Sequence, residues 1–108
     1  MFPRPGRQEA DGFMWLWRVF DKARAAADGT IHDYIYPCPM DRGVFERWGI
    51  TPAQFEEALR TRRSDAEILA WLKEHVGVKQ RDAANAWLSK EKSENLNRQD
   101  AEEGVIAA

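Results

Sequence analysis

The chain has 108 residues, 16 basic and 18 acidic side chains and a net charge of -2, which bounds it to a single domain of balanced charge. That balance argues against nucleic-acid binding, which rests on basic patches that neutralise phosphates. The single cysteine, Cys38, excludes an intrachain disulfide and fits a reducing compartment. No apolar run approaches the roughly 20 residues a membrane-spanning helix needs, and the first residues carry no signal-peptide stretch, so the expected setting is the cytoplasm.

Residues 1–10 carry Pro3, Pro5 and Gly6 and read as an irregular arm. Residues 11–93 read as one helical domain. Asp11 is placed to cap a first helix from about Gly12 to Asp28, with Phe13, Leu16, Phe20, Ala23 and Ala27 on its inward face. Arg18, Asp21, Lys22 and Arg24 fall on its wet side, and Gly29 stops it. Residues 30–40, TIHDYIYPCPM, favour extended backbone through their β-branched and aromatic residues and two prolines. With no partner strand in view, this segment is expected to be an ordered aromatic loop.

Asp41 has the character of an N-cap for a short second helix, about Arg42 to Trp48, with Met40 and Phe45 as its staple. Thr51-Pro52-Ala53-Gln54 is a capping box with proline at the first helical position, and Ile50 and Phe55 staple it. Ser64 to Glu67 repeats the box ahead of a fourth helix that turns Ile68, Leu69, Leu72 and Val76 inward. A fifth helix, about Gln80 to Ser93, lacks a good cap, and residues 94–108 read as a flexible tail. The fold class is therefore all-α, a compact bundle of four to five short helices with one extended loop.

Few residues are equipped for chemistry. His32, Cys38 and His75 do not make the four-ligand spacing of a structural zinc site, and no glycine fingerprint or Walker motif is present, so no metal or cofactor is expected. Arg60, Arg62 and Arg63 lie at a helix C-terminus, where cations offset the dipole. Cys38 sits close to a helix start, which favours thiolate, and close to Asp41, which opposes it; a small buried side chain between two prolines is the simpler expectation. Tyr34, Tyr36, Cys38 and Asp41 place two phenols, a thiol and a carboxylate within eight residues and form the candidate ligand or partner site.

The stretches WLWRVFDKARAAADGT, DYIYPCPMD, FERWGIT and SDAEILAWLKEH, spread over residues 13–88, resemble a bacterial family named domain of unknown function 5069. YPCPMD following a DKARA helix is the specific combination. Gly77 to Gln80 departs from it, because a capping Thr or Ser is expected there. The resemblance implies a compact helical domain and no activity. Function is left to the residues: no catalytic pair stands out, while five Trp exceed what so small a core holds comfortably. Exposed aromatics mark interaction sites. The expected function is non-catalytic association with an unknown protein partner or as a homodimer. The alternative is a small-molecule or enzymatic site around the Tyr34–Asp41 loop.

Overall fold

In a computed structural model, residues 2–104 are described. Six helices follow in order: α1 (Leu16–Asp28), α2 (Pro39–Trp48), α3 (Pro52–Thr61), α4 (Asp65–His75), α5 (Val78–Lys90) and α6 (Ser93–Glu102). No strand occurs among the described residues; the one bridge joins Ala10 and Phe13. The all-α bundle is as expected, with one helix more than anticipated.

Local chemistry sets most of the helix ends. Gln54 N–H donates to Thr51 Oγ1 at 3.1 Å and Thr51 N–H to Gln54 Oε1 at 2.8 Å, closing the box ahead of α3. Ser64 and Glu67 do the same for α4. At α5 half a box suffices: Gly77 N–H donates to Gln80 Oε1 at 2.7 Å, and glycine has no side chain to answer. The helix accordingly starts at Val78, two residues earlier than expected.

α1 begins later than expected. Asp11 and Gly12 have φ of 48° and 85°, the two positive values of a type I′ turn, and Ala10 and Phe13 exchange backbone hydrogen bonds at 2.9 Å across it. Asp11 is therefore a turn residue, not a cap; its carboxylate pairs with Lys73 at 3.0 Å. The cap position belongs to Trp15, whose N–H donates to Gly6 O at 2.8 Å. The inward face of α1 also differs. Arg18 and Lys22, expected in water, are buried at 3% and 4% exposure, and Ala27, expected inward, is exposed.

Two close approaches shape the packing. α2 lies against α5, and a Cβ on Gly43 would come within 2.2 Å of the Trp87 ring, so only glycine permits that crossing. A Cβ on Gly6 would meet the Trp15 ring at 2.5 Å and Leu96 at 3.1 Å. The irregular arm is thus packed between α1 and α6. Arg4 fastens it further, reaching Asp21 at 2.9 Å and Asp65 at 2.7 Å.

The tail expected from residue 94 is replaced by α6 as far as Glu102. Its weak apolar pattern hides one anchor, Leu96, which is 1% exposed. Arg7 bonds Asp100 at 2.8 Å, and Glu103, just past the helix, holds Arg18 through both carboxylate oxygens at 2.9 and 2.7 Å. Val105 and Ile106, the apolar residues of that tail, lie outside the described residues. Ending the chain after Lys92 should therefore be costly. Losing a buried leucine costs about 2–5 kcal/mol, and stripping a buried arginine of its partner about 3–5 kcal/mol. A thermal melt of that truncation should show a large fall in midpoint; an unchanged midpoint would show that α6 contributes nothing.

Candidate functional site

Asp41 is fully buried, and three donors converge on it. Trp15 Nε1 donates to Oδ1 at 2.8 Å, while Lys22 Nζ and the Cys38 backbone N–H donate to Oδ2 at 2.8 and 2.9 Å. An anion removed from water needs this many donors to survive. The residue that caps α2 is Cys38, not Asp41: its Sγ accepts the Asp41 N–H at 3.4 Å, and Asp41 returns the bond from the third helical position. Helix α2 thereby starts at Pro39, three residues earlier than expected. Cys38 is half-buried, and its sulfur also accepts from Lys22 Nζ at 3.3 Å. It is an acceptor between two donors, not the inert apolar filler expected between two prolines.

The two tyrosines of the loop diverge. Tyr34 donates to Glu103 Oε2 at 3.1 Å, beside the Arg18 guanidinium. Tyr36 donates to Glu56 Oε2 at 3.1 Å, on the α3 side. Burial pushes both phenols up from their ordinary value, and the neighbouring carboxylate adds to it in each case. Burial opposes the charge of Arg18 most strongly, but the hydrogen bonds and charge of Glu103 outweigh it, and the guanidinium stays above its ordinary value. Tyr34, Tyr36, Cys38 and Asp41 are therefore not one converging set. Cys38 and Asp41 meet at the start of α2, and each phenol serves a separate carboxylate.

Lys22 and Arg18 are the residues the sequence reading missed. Their spacing places them on the polar side of an isolated α1, and their partners lie 19 and 85 positions away. The other candidates occupy ordinary places. His75 stacks on Trp71 with ring centroids 4.5 Å apart, and His32 is exposed in the loop with φ of 53°. No group of three metal-ligating side chains occurs among the described residues.

The tryptophan surplus does not form an exposed patch. Trp15, Trp48 and Trp71 are buried. Trp17 lies under the Arg4 guanidinium at 4.6 Å, and Trp87 lies under Arg47 at 4.1 Å with Lys92 at 5.4 Å. The surface is instead shaped by two grooves along the C-terminal half of α1. One, of about 660 Å³, runs between α1 and α3 past Tyr36 and Pro37; Ala23, Ala26, Ala27 and Leu59 give it an apolar floor. The other, of about 600 Å³, lies between α1, the N-terminal arm and the start of the loop. Arg24 and Asp28 border both, so the end of α1 is a ridge with a groove on each side.

The protein is thus a small helical domain with a buried aspartate at the start of α2. The chain belongs to the domain-of-unknown-function family DUF5069, whose model matches residues 1–107. No curated protein matches it.

The raised Tyr36 phenol carries a pH signature. An acid held neutral by the fold contributes stability that is intact below its unfolded value, about 10, and lost as pH rises past it. Urea unfolding from pH 8 to 11 should show a fall in stability at the alkaline end that Tyr36→Phe makes shallower. Equal slopes for the two proteins would mean that Tyr36 is not held neutral.

Proposed function

We propose that this is a non-catalytic association domain whose contact surface is the α1 ridge and its flanking grooves, with a second copy of the chain as the simplest partner. The observation that carries the reading is the ridge itself. Ala25, Ala26 and Ala27 give the end of α1 a surface of small side chains, only partly covered, beside an apolar floor. Small residues let another helix approach closely, and helices pack by setting ridges into grooves. The rim carries both signs, Arg24, Arg60 and Arg63 with Asp28 and Glu56. Such a rim is self-complementary when two copies meet about a two-fold axis, and charge matching of this kind fixes register.

The enzymatic alternative has less support. Both oxygens of Asp41 are occupied by structural donors, and each phenol donates to a carboxylate rather than to the thiol. A groove of this volume is of small-ligand size, which keeps a ligand beside Tyr36 as the second reading. No helix among the described residues is long and apolar enough to cross a membrane. The lone thiol supports a cytoplasmic setting, and the family resemblance supports a bacterial one.

Sedimentation velocity across a wide concentration range tests the reading. The protein should self-associate reversibly, and Ala27→Glu should hold it as a monomer. Ala27 is exposed, so the variant should melt within about 0.5 kcal/mol of the parent. A protein that stays monomeric at every concentration would overturn self-association and shift the function to a ligand in the groove.

A further inference from the structure

The pairing of Lys22 with Cys38 is not used by the association reading, although Lys22 borders the second groove. It brings two nucleophiles of different chemistry to 3.3 Å, Nζ to Sγ. The lysine is almost wholly buried at 4% exposure, and its head group is fixed by Asp41 Oδ2 at 2.8 Å. Cys38 is half-buried rather than enclosed in the core. Buried lysine ammonium groups are normally satisfied by oxygen acceptors; here one of three donors is spent on sulfur. A fixed amine beside a half-buried thiol is the arrangement an intramolecular sulfur–nitrogen bond requires.

We propose that Lys22 and Cys38 are a modification site, at which a peroxide converts the pair into a sulfenamide cross-link between α1 and the cap of α2. In the first step Cys38 sulfur attacks one peroxide oxygen. The O–O bond breaks, the thiol becomes a sulfenic acid, and the other oxygen leaves as water with the thiol proton. Sulfur is oxidised by two electrons and the peroxide is reduced by two. Sulfenic acids condense with nearby nitrogen nucleophiles. In the second step Lys22 gives one proton to Asp41 Oδ2 and becomes a neutral amine. Its nitrogen lone pair attacks sulfur, the S–O bond breaks, and hydroxide leaves as water with the second amine proton. Relative to the starting pair, the product has lost two hydrogens. A thiol reverses it by attacking sulfur and releasing the amine, which converts the cross-link into a disulfide that a second thiol reduces.

The cross-link changes more than one bond. The Lys22 charge is lost, so Asp41 keeps its proton or loses its ionic partner. The loop carrying Tyr36 and Pro37 becomes covalently tied to α1, the opposite wall of the groove. Its oxidation chemistry stands whether or not that groove binds another chain.

The test is intact-mass and peptide analysis of the full chain after treatment with hydrogen peroxide. The expected product has lost two hydrogens, resists thiol alkylation after unfolding, escapes tryptic cleavage after Lys22, and yields a peptide joining Lys22 to Cys38. Dithiothreitol should restore the free thiol and the cleavage. Lys22→Arg keeps a cation beside Asp41 but offers a guanidinium that stays protonated; it should stop at a sulfenic acid that dimedone traps. Should that variant fail to fold, the wild-type peptide map alone decides. The proposal is overturned by wild-type protein that accumulates dimedone-trapped sulfenic acid or sulfinic acid with Lys22 still cleaved. A joined peptide that retains an added oxygen overturns the direct sulfur–nitrogen bond.

Discussion

Much of this fold depends on one buried carboxylate. Asp41 accepts from Trp15 on the approach to α1, from Lys22 within α1 and from the backbone of Cys38 at the end of the loop. The start and middle of α1 and the end of the loop are thereby fixed to one side chain. Moving an anion out of water costs several kcal/mol, and mutual attraction repays it only when the geometry is close and the remaining lone pairs are used. Asp41 meets that condition through donors at 2.8, 2.8 and 2.9 Å. The Trp15 indole bond also helps to hold a bulky residue at φ of 75°, a conformation that costs of order 1–3 kcal/mol and persists only when its surroundings over-determine it.

A second constraint is cationic. Arg4 covers Trp17, Arg47 covers Trp87, and Arg18 lies between the rings of Trp15 and Tyr34 at 5.6 and 5.7 Å. The aromatic excess that suggests an interface is thus consumed within the chain, by burial and by guanidinium groups. For the proposed partner, what remains is shape: a ridge of alanines and the grooves beside it. Arg4 and Glu103 complete the frame near the two ends of the described chain. One pins the arm to α1 and α4, and the other seals Arg18 beneath the end of α6.

Features whose cause is local were legible in the sequence. The boxes at Thr51 and Ser64 and the glycine stop at Gly29 need only residues within one turn of each other. The loop with Tyr34 and Tyr36 was visible for the same reason. Asp11-Gly12 was legible too, as the residue pair of a type I′ turn, but the capping character of aspartate competes with that reading. Partners far along the chain were not legible. Helical periodicity sorts Arg18 and Lys22 by polarity, whereas Glu103 and Asp41 decide their burial. α6 has a single core residue, Leu96, too few for a periodic face, and tertiary packing rather than local pattern holds it in place. At the candidate site, the sequence identified Asp41 and Cys38 as neighbours but not the lysine that joins them.

The central claim is that Asp41 is a structural anion whose worth depends on Lys22. A double-mutant cycle on this pair, measured by denaturant unfolding, tests it most directly. Asp41→Asn leaves the Lys22 ammonium buried without its counter-charge, and Lys22→Met leaves the carboxylate without its cation; each should cost about 3–5 kcal/mol. The double variant removes both charges and should cost less than the two single losses added together, with a coupling of about 2–3 kcal/mol. Additive losses, or an Asp41→Asn protein as stable as the parent, would contradict the account and free Asp41 for another role.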